Sequence, residues 1–236
     1  LNRPVKNLIL KLLAAMLVLL LVQTVAEWAV MRQKIQQFVE AAEGRYVADP
    51  YVPGKPIHRE GQDWLGSAGD IPLTFEAVNP PVMFLVGGHS GVVVDEQTVV
   101  ESSGLEAWEK NITKLWGNRW KTRYDEVLLL RVKGASREDY TEALEEAETL
   151  LGRRYDYLFS PTSRWIYCSE VPWRAWKSRG FQLNYDGLWV TPNDLLLSPE
   201  TYIVYYQYRD SSGILHTYSL EDQRYRPEAG KETNQP

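Results

Sequence analysis

The one cysteine of this chain, Cys168, and its three histidines, His58, His89 and His216, are the side chains that offer nucleophilic or general-base chemistry. Cys168 lies in Trp165-Ile166-Tyr167-Cys168-Ser169-Glu170-Val171-Pro172-Trp173. Proline is tolerated in the first turn of a helix and breaks its interior, so a helix covering Trp173 to Ser178 cannot begin much before Cys168. The thiol then sits at or beside a helix N-terminus, where unpaired N–H groups and the helix dipole favour a thiolate. The same N–H groups could hold a developing oxyanion. The competing reading is a small buried hydrophobe, the commonest fate of a free cysteine.

A nucleophilic cysteine needs a base. His89 is the best placed of the three histidines, because it follows Gly87-Gly88 and opens the valine-rich run Ser90 to Val94. A histidine at a strand end, beside flexible glycines, can project into a cleft. His58 sits in a Pro-rich loop and His216 in a late loop. The imidazole would in turn need an orienting group. Glu101, twelve residues after His89 on the next short strand, opposes it on one face if the hairpin centres on Asp95. A two-residue turn at Glu96-Gln97 would put Glu101 on the other face, and Asp95 is then the fallback partner.

The elements that must position these groups are legible in the pattern. Hydrophobic residues make up 44% and charged residues 24%, which fits a folded globular body and excludes global disorder. The net charge is -5, so nucleic acid is not an expected partner. A single cysteine excludes an internal disulfide framework and multi-cysteine metal sites, and the histidines share no short metal-ligand spacing. No metal or cofactor is expected.

Arg3, Lys6 and Lys11 precede an apolar run from Leu12 to Val22, the pattern of an export signal in residues 1–30. Thr24-Val25-Ala26 offers a cleavage site. Alternatively, Leu8 to Ala26 is long enough for a retained membrane anchor. Either way the body is expected outside the cytoplasm, membrane-anchored or in the periplasm or cell envelope.

Residues 31–65 read as a helix continuing from that segment, Met31 to Glu43, with Ile35, Phe38, Val39 and Ala42 as its apolar stripe, then a Pro-rich linker from Asp49. The main domain spans 66–220. Strands are expected at Val82–Val86, His89–Val94, Thr98–Glu101, Glu126–Val132 and Thr201–Tyr208. Ser136 and Asp139 start a helix whose apolar stripe is Tyr140, Ala143, Leu144, Ala147, Leu150 and Leu151, with Gly152 ending it. The glutamates 142, 145, 146 and 148 read as its solvated face. The tail 221–236 is expected to be disordered. Antiparallel strands with segregated helices make the fold class α+β.

Gly69-Asp70-Ile71, Gly88-His89-Ser90-Gly91-Val92-Val93, Val100-Glu101, Gly152 with Tyr155-Asp156-Tyr157, and Tyr167-Cys168-Ser169-Glu170 occur in that order. Over residues 66 to 208 this text resembles the YiiX/YebB-like group, circularly permuted members of the NlpC cysteine-peptidase superfamily related to lecithin:retinol acyltransferase. The resemblance implies a permuted papain-like domain with an antiparallel sheet and packed helices. It maps the catalytic cysteine, histidine and third polar residue onto Cys168, His89 and Glu101. Tyr155 and Tyr167 become candidates for the oxyanion or substrate contacts, with the Cys168 N–H. Ala107 to Lys121, carrying Trp108, Trp116 and Trp120, is longer and more aromatic than the family pattern and reads as an insertion over the cleft.

Three functions fit. The first is a cysteine hydrolase cleaving an amide bond, in a cell-wall or other peptide. The second is an acyltransferase or thioesterase on lipid or acyl substrates, with Trp165, Trp173, Trp176 and Trp189 around the nucleophile. The third is a non-catalytic, membrane-tethered binding module. The partners implied are a peptide or acyl substrate and, through the N-terminal segment, a membrane.

Overall fold

A computed structural model describes residues 3–42, 64–76, 88–104, 110–160, 164–187 and 189–219. The expected strand at 82–86, most of the Pro-rich linker with His58, Gly87, Trp108 and the tail 221–236 lie outside the described residues.

Helix α1 (Arg3–Ala42) is a single continuous element. Its first part is apolar and exposed, Leu8, Leu12, Leu17 and Val22 among others, and it is long and apolar enough to cross a membrane. Its last part is bound to the domain. Met31, Ile35 and Phe38 fall on one helical face and are buried in the core, with Val39 and Ala42 packed beside them. The Lys34 ammonium donates to the carbonyls of Leu196 and Ser198 at 2.6 and 3.2 Å, and Arg32 pairs with Glu126 at 3.3 Å.

The core is antiparallel throughout. Strands β1 (Ile71–Thr74), β2 (His89–Ser90), β6 (Val127–Val132), β7 (Thr201–Arg209) and β8 (Leu215–Ser219) form a sheet in the order β2-β1-β6-β7-β8. A second sheet holds β3 (Val92–Val93), β4 (Thr98–Ser102) and β5 (Thr113–Gly117) in sequence order. The expected run from His89 to Val94 is therefore two short strands, which leave one sheet and enter the other at Gly91. The two sheets stay joined there, because Gly91 N–H donates to Pro72 and Val93 N–H to Asp70 on the β1 side.

Strand β6, Val-Leu-Leu-Leu-Arg-Val, is buried at every position, as expected for a central strand covered on both faces. Its one charge, Arg131, is paired with buried Asp70 at 3.1 Å. Helices α2 (Trp120–Arg123), α3 (Arg137–Thr149), α4 (Glu170–Lys177) and α5 (Pro192–Leu197) surround the sheets. Ser136 and Asp139 cap α3 reciprocally, and Thr191 and Asp194 do the same for α5. On α3, Tyr140, Ala143, Ala147 and Leu150 are buried, whereas Leu151 is exposed, because the helix stops at Thr149 and Gly152 turns the chain at φ +80.

The glutamates 142, 145, 146 and 148 form the exposed and half-exposed face of α3, where Arg179 binds Glu142 and, at the helix start, Asp139. One expectation is corrected. The aromatic stretch before Lys121 is not an insertion over the cleft in its described part. It supplies β5, registered residue by residue on β4 from Thr98↔Gly117 to Ser102↔Thr113, and then α2, whose Trp120 is fully buried.

Candidate active site

Cys168 is buried and immediately precedes Ser169, the N-cap of α4, with Pro172 inside the first turn. Backbone bonds from Glu170 N–H to Tyr167 and from Val171 N–H to Cys168 begin the turn. The thiol thus sits where the sequence places it, at a helix entrance. Its segment is pinned from three sides. Ser102 Oγ donates to the Ile166 carbonyl at 2.7 Å, Ile166 N–H donates to Arg154, and Ser169 Oγ donates to the Val190 carbonyl at 2.9 Å. Among the described residues the Cys168 N–H donates to no other group.

His89 is almost fully buried at the start of β2, opposite Thr74 of β1. The preceding Gly88 is there for close approach rather than flexibility. It has φ +115, and a Cβ on it would lie 1.9 Å from the Thr74 carbonyl oxygen. His89 Nε2 meets Glu101 Oε2 at 2.8 Å, and the ring also hydrogen-bonds the Cys168 side chain. Burial works against the imidazolium, but the hydrogen bonds and negative charges of Cys168 and Glu101 outweigh it and push His89 up to about 9.

Glu101 reaches His89 by a route other than the expected one. The pairing Val92↔Val100 and Val93↔Val99 centres the hairpin on Glu96, so Glu101 faces Gly91 rather than His89. A Cβ at Gly91 would lie 2.9 Å from Glu101 Cγ. The missing side chain is what lets Glu101 run along the strand to the imidazole. Asp95, the fallback partner, is spent on its own turn, where it accepts from Gln97 and Thr98.

Two residues that the sequence reading did not assign to the site hold Glu101 from α2. Trp120 Nε1 donates to Oε1 at 2.8 Å and Arg123 Nη2 donates to Oε2 at 2.7 Å. Burial disfavours the Glu101 carboxylate, yet His89 and Arg123 hold its pKa below the usual carboxylate range. The indole of Trp120 also stacks on the His89 ring. Trp120 and Arg123 are three apart, and that spacing on a helix was the available signal.

Tyr155 is buried beside the thiol, and burial followed by the Cys168 charge raises its hydroxyl above the ordinary tyrosine range, so it is a neutral donor. Tyr167 is raised by burial, Glu170 and Cys168, while its hydroxyl hydrogen-bonds the Val190 backbone and its ring packs on Phe159. His216 is far from this cluster, on edge strand β8, paired with Asp210 at 2.7 Å.

The four tryptophans divide. Trp176 is fully buried against Tyr140 and Phe181, and Trp173 is half-buried with its Nε1 on Gln182. Trp165 lines a shallow depression with Arg153, Arg154 and Arg164, and Trp189 is exposed. Among the described residues no three His, Cys, Asp or Glu side chains are placed to hold a metal ion.

Comparison with solved structures finds a crystal structure titled as the metalloprotein yiiX from Escherichia coli O157:H7. It is 19% identical, with a TM-score of 0.44, and the match covers 58% of this chain and 96% of that one. No curated protein matches. A family model described as permuted papain-like amidase enzyme, YaeF/YiiX, C92 family, matches residues 72–205, which is more than half of the chain and includes Cys168, His89 and Glu101. The chain belongs to the permuted papain-like amidases of the YaeF/YiiX, C92 family.

Proposed function

We propose that this papain-like cysteine amidase cleaves an amide bond in a peptide, of the cell wall or another source, using Cys168 as nucleophile, His89 as acid–base and Glu101 as the group that orients the imidazole. The observation that carries the reading is the position of His89, whose Nε2 meets Glu101 at 2.8 Å and whose pKa is raised by hydrogen bonding and charge from both Cys168 and Glu101. Cys168 Sγ attacks the carbonyl carbon, and the carbonyl electrons move to oxygen. The unspent Cys168 N–H and the Tyr155 hydroxyl are the donors for that oxyanion. As the tetrahedral intermediate collapses, His89 gives its proton to the leaving amine. A water molecule, deprotonated by His89, then attacks the thioester and releases the acid.

The N-terminal part of α1 serves as an export signal or, uncleaved, as an anchor that keeps the domain at a membrane, with the body on the non-cytoplasmic side. A second reading, transfer or hydrolysis at acyl or lipid esters, is favoured by exposed Trp189, which adjoins the Val190 carbonyl bonded to Ser169.

The decisive experiment is the pH dependence of Cys168 alkylation in the wild type and in His89→Ala. Rapid modification that persists well below the ordinary thiol value of about 8.5, and disappears without His89, supports the assignment. An ordinary thiol titration, unchanged in the variant, overturns it and leaves a binding module.

A further inference from the structure

Arg153, Arg154, Arg164 and Trp165 line one depression on the surface, although they come from separate stretches of chain. Backbone bonds draw those stretches together. Ile166 N–H donates to the Arg154 carbonyl at 2.9 Å, and Asp156 N–H donates to the Ile166 carbonyl at 3.3 Å. Arg154 is also bridged to Ile112. The arginine pair is therefore held between two neighbouring segments rather than carried on a free loop.

Among the described residues, the guanidiniums of Arg153, Arg154 and Arg164 pair with no carboxylate, whereas Arg123, Arg131, Arg174, Arg179 and Arg209 each do. Asp156, the nearest acid along the chain, is turned to the N–H groups of Leu158 and Ser160. The depression is thus a positive patch on a chain whose net charge is -5. Gathered like charges repel until an anion joins them. The planar guanidinium fork matches a carboxylate, and half-buried Trp165 adds a flat apolar wall. The patch also lies near the nucleophile. Trp165 precedes Cys168 by three residues, at most about 11 Å of extended chain, and Ile166 between them is pinned by Ser102.

Resting on the amidase reading, we propose that this depression is a substrate subsite for a carboxylate, so that the enzyme prefers peptides with an acidic group within about three residues of the scissile amide. An acidic side chain or a free C-terminal carboxylate meets that requirement. Arg154 and Arg164 are exposed and supply the outer forks, and half-buried Arg153 supplies the inner one.

The test labels Cys168 in the full chain, held in neutral detergent, with iodoacetyl-Gly-Glu amide and with iodoacetyl-Gly-Gln amide, which differ by one charge. The acidic probe should react about fivefold faster or more at low ionic strength, and salt should shrink that advantage. The double variant Arg154→Gln, Arg164→Gln should bring the two rates together. The double variant Arg154→Lys, Arg164→Lys keeps the charges and should preserve most of the advantage. Equal loss in the lysine variant would assign the effect to damaged structure and overturn the subsite, and an advantage that survives the glutamines would overturn it too. Equal rates in the wild type, with fast labelling by the neutral probe that depends on His89, overturn the subsite and leave the amidase reading standing. Slow labelling by both probes, indifferent to His89→Ala, overturns the amidase reading and the subsite with it.

Discussion

The indole of Trp120 lies parallel to the imidazole of His89, with ring centroids 5.5 Å apart and planes inclined by 2°, while its Nε1 donates to Glu101 Oε1 at 2.8 Å. One side chain therefore fixes both the plane of the imidazole and the carboxylate that holds its far nitrogen. Stacking on a buried indole removes the ring-flip freedom that a lone histidine at a strand end would have. Catalytic groups work only when held near their productive geometry.

Trp120→Phe keeps a ring over His89 and removes the donor to Glu101. Leaving one carboxylate oxygen short of a partner in the interior should cost about 1–3 kcal/mol, measured as a lower denaturant midpoint. Amide turnover should fall more steeply than stability suggests, because the imidazole loses its fixed tautomer. Glu101→Gln should lower kcat by on the order of 10²-fold or more, with the fold retained by circular dichroism.

Arg123→Met tests the charge behind the carboxylate. Arg123 is one of the groups that depress the Glu101 pKa. Without it that pKa rises, so Glu101 protonates earlier as pH falls, and the acidic limb of the kcat/KM profile should move to higher pH. A limb that stays in place would remove Arg123 from the site's electrostatics.

His89 sets the other limb. Its folded pKa of about 9 lies above its ordinary 6.5. The stabilisation from its ion pairs is therefore complete below about 6.5 and is lost as pH rises through about 9. Turnover of amides should decline over the same range, since the leaving amine loses its proton donor. An NMR titration of the His89 ring should show the pKa fall in Cys168→Ala, which removes one of the partners that raise it.

The glycines around His89 should be intolerant for distinct reasons. Gly88→Ala drives a Cβ into the Thr74 backbone at a positive φ, and should abolish soluble folded protein or lower the midpoint severely. Gly91→Ala would press on the Val100 carbonyl at 2.7 Å and on Glu101 Cγ at 2.9 Å. Its expected signature is a Cys168 alkylation profile moved toward that of His89→Ala.

The Asp70–Arg131 pair is a structural element away from the chemistry. Both side chains are buried and bonded to each other at 3.1 and 3.3 Å. Removing one partner strands the other charge, so Asp70→Ala should cost about 3–5 kcal/mol by chemical denaturation. Replacing both residues with apolar ones should recover much of that loss.

The sequence by itself determined the local features. Pro172 placed Cys168 at a helix entrance, because a ring without an N–H is confined to the first turn, and α4 begins at Glu170. Ser136 and Asp139 announced α3, and the spacing of Met31, Ile35 and Phe38 announced the docked end of α1. Ordered short motifs identified the family across the domain.

Only the tertiary structure decided how Glu101 meets His89. A hairpin centred one residue away from the expected turn would ordinarily misplace the carboxylate, and the empty side of Gly91 compensates. Register depends on which turn the chain adopts, which spacing alone leaves open. Beyond the three-residue spacing that puts Trp120 and Arg123 on one helix face, their roles were not legible either, since they reach Glu101 across 19 and 22 residues of chain. Such contacts exist only once β4, β5 and α2 pack together. Patterning reports which face of an element is buried, but the partner on that face is chosen by packing.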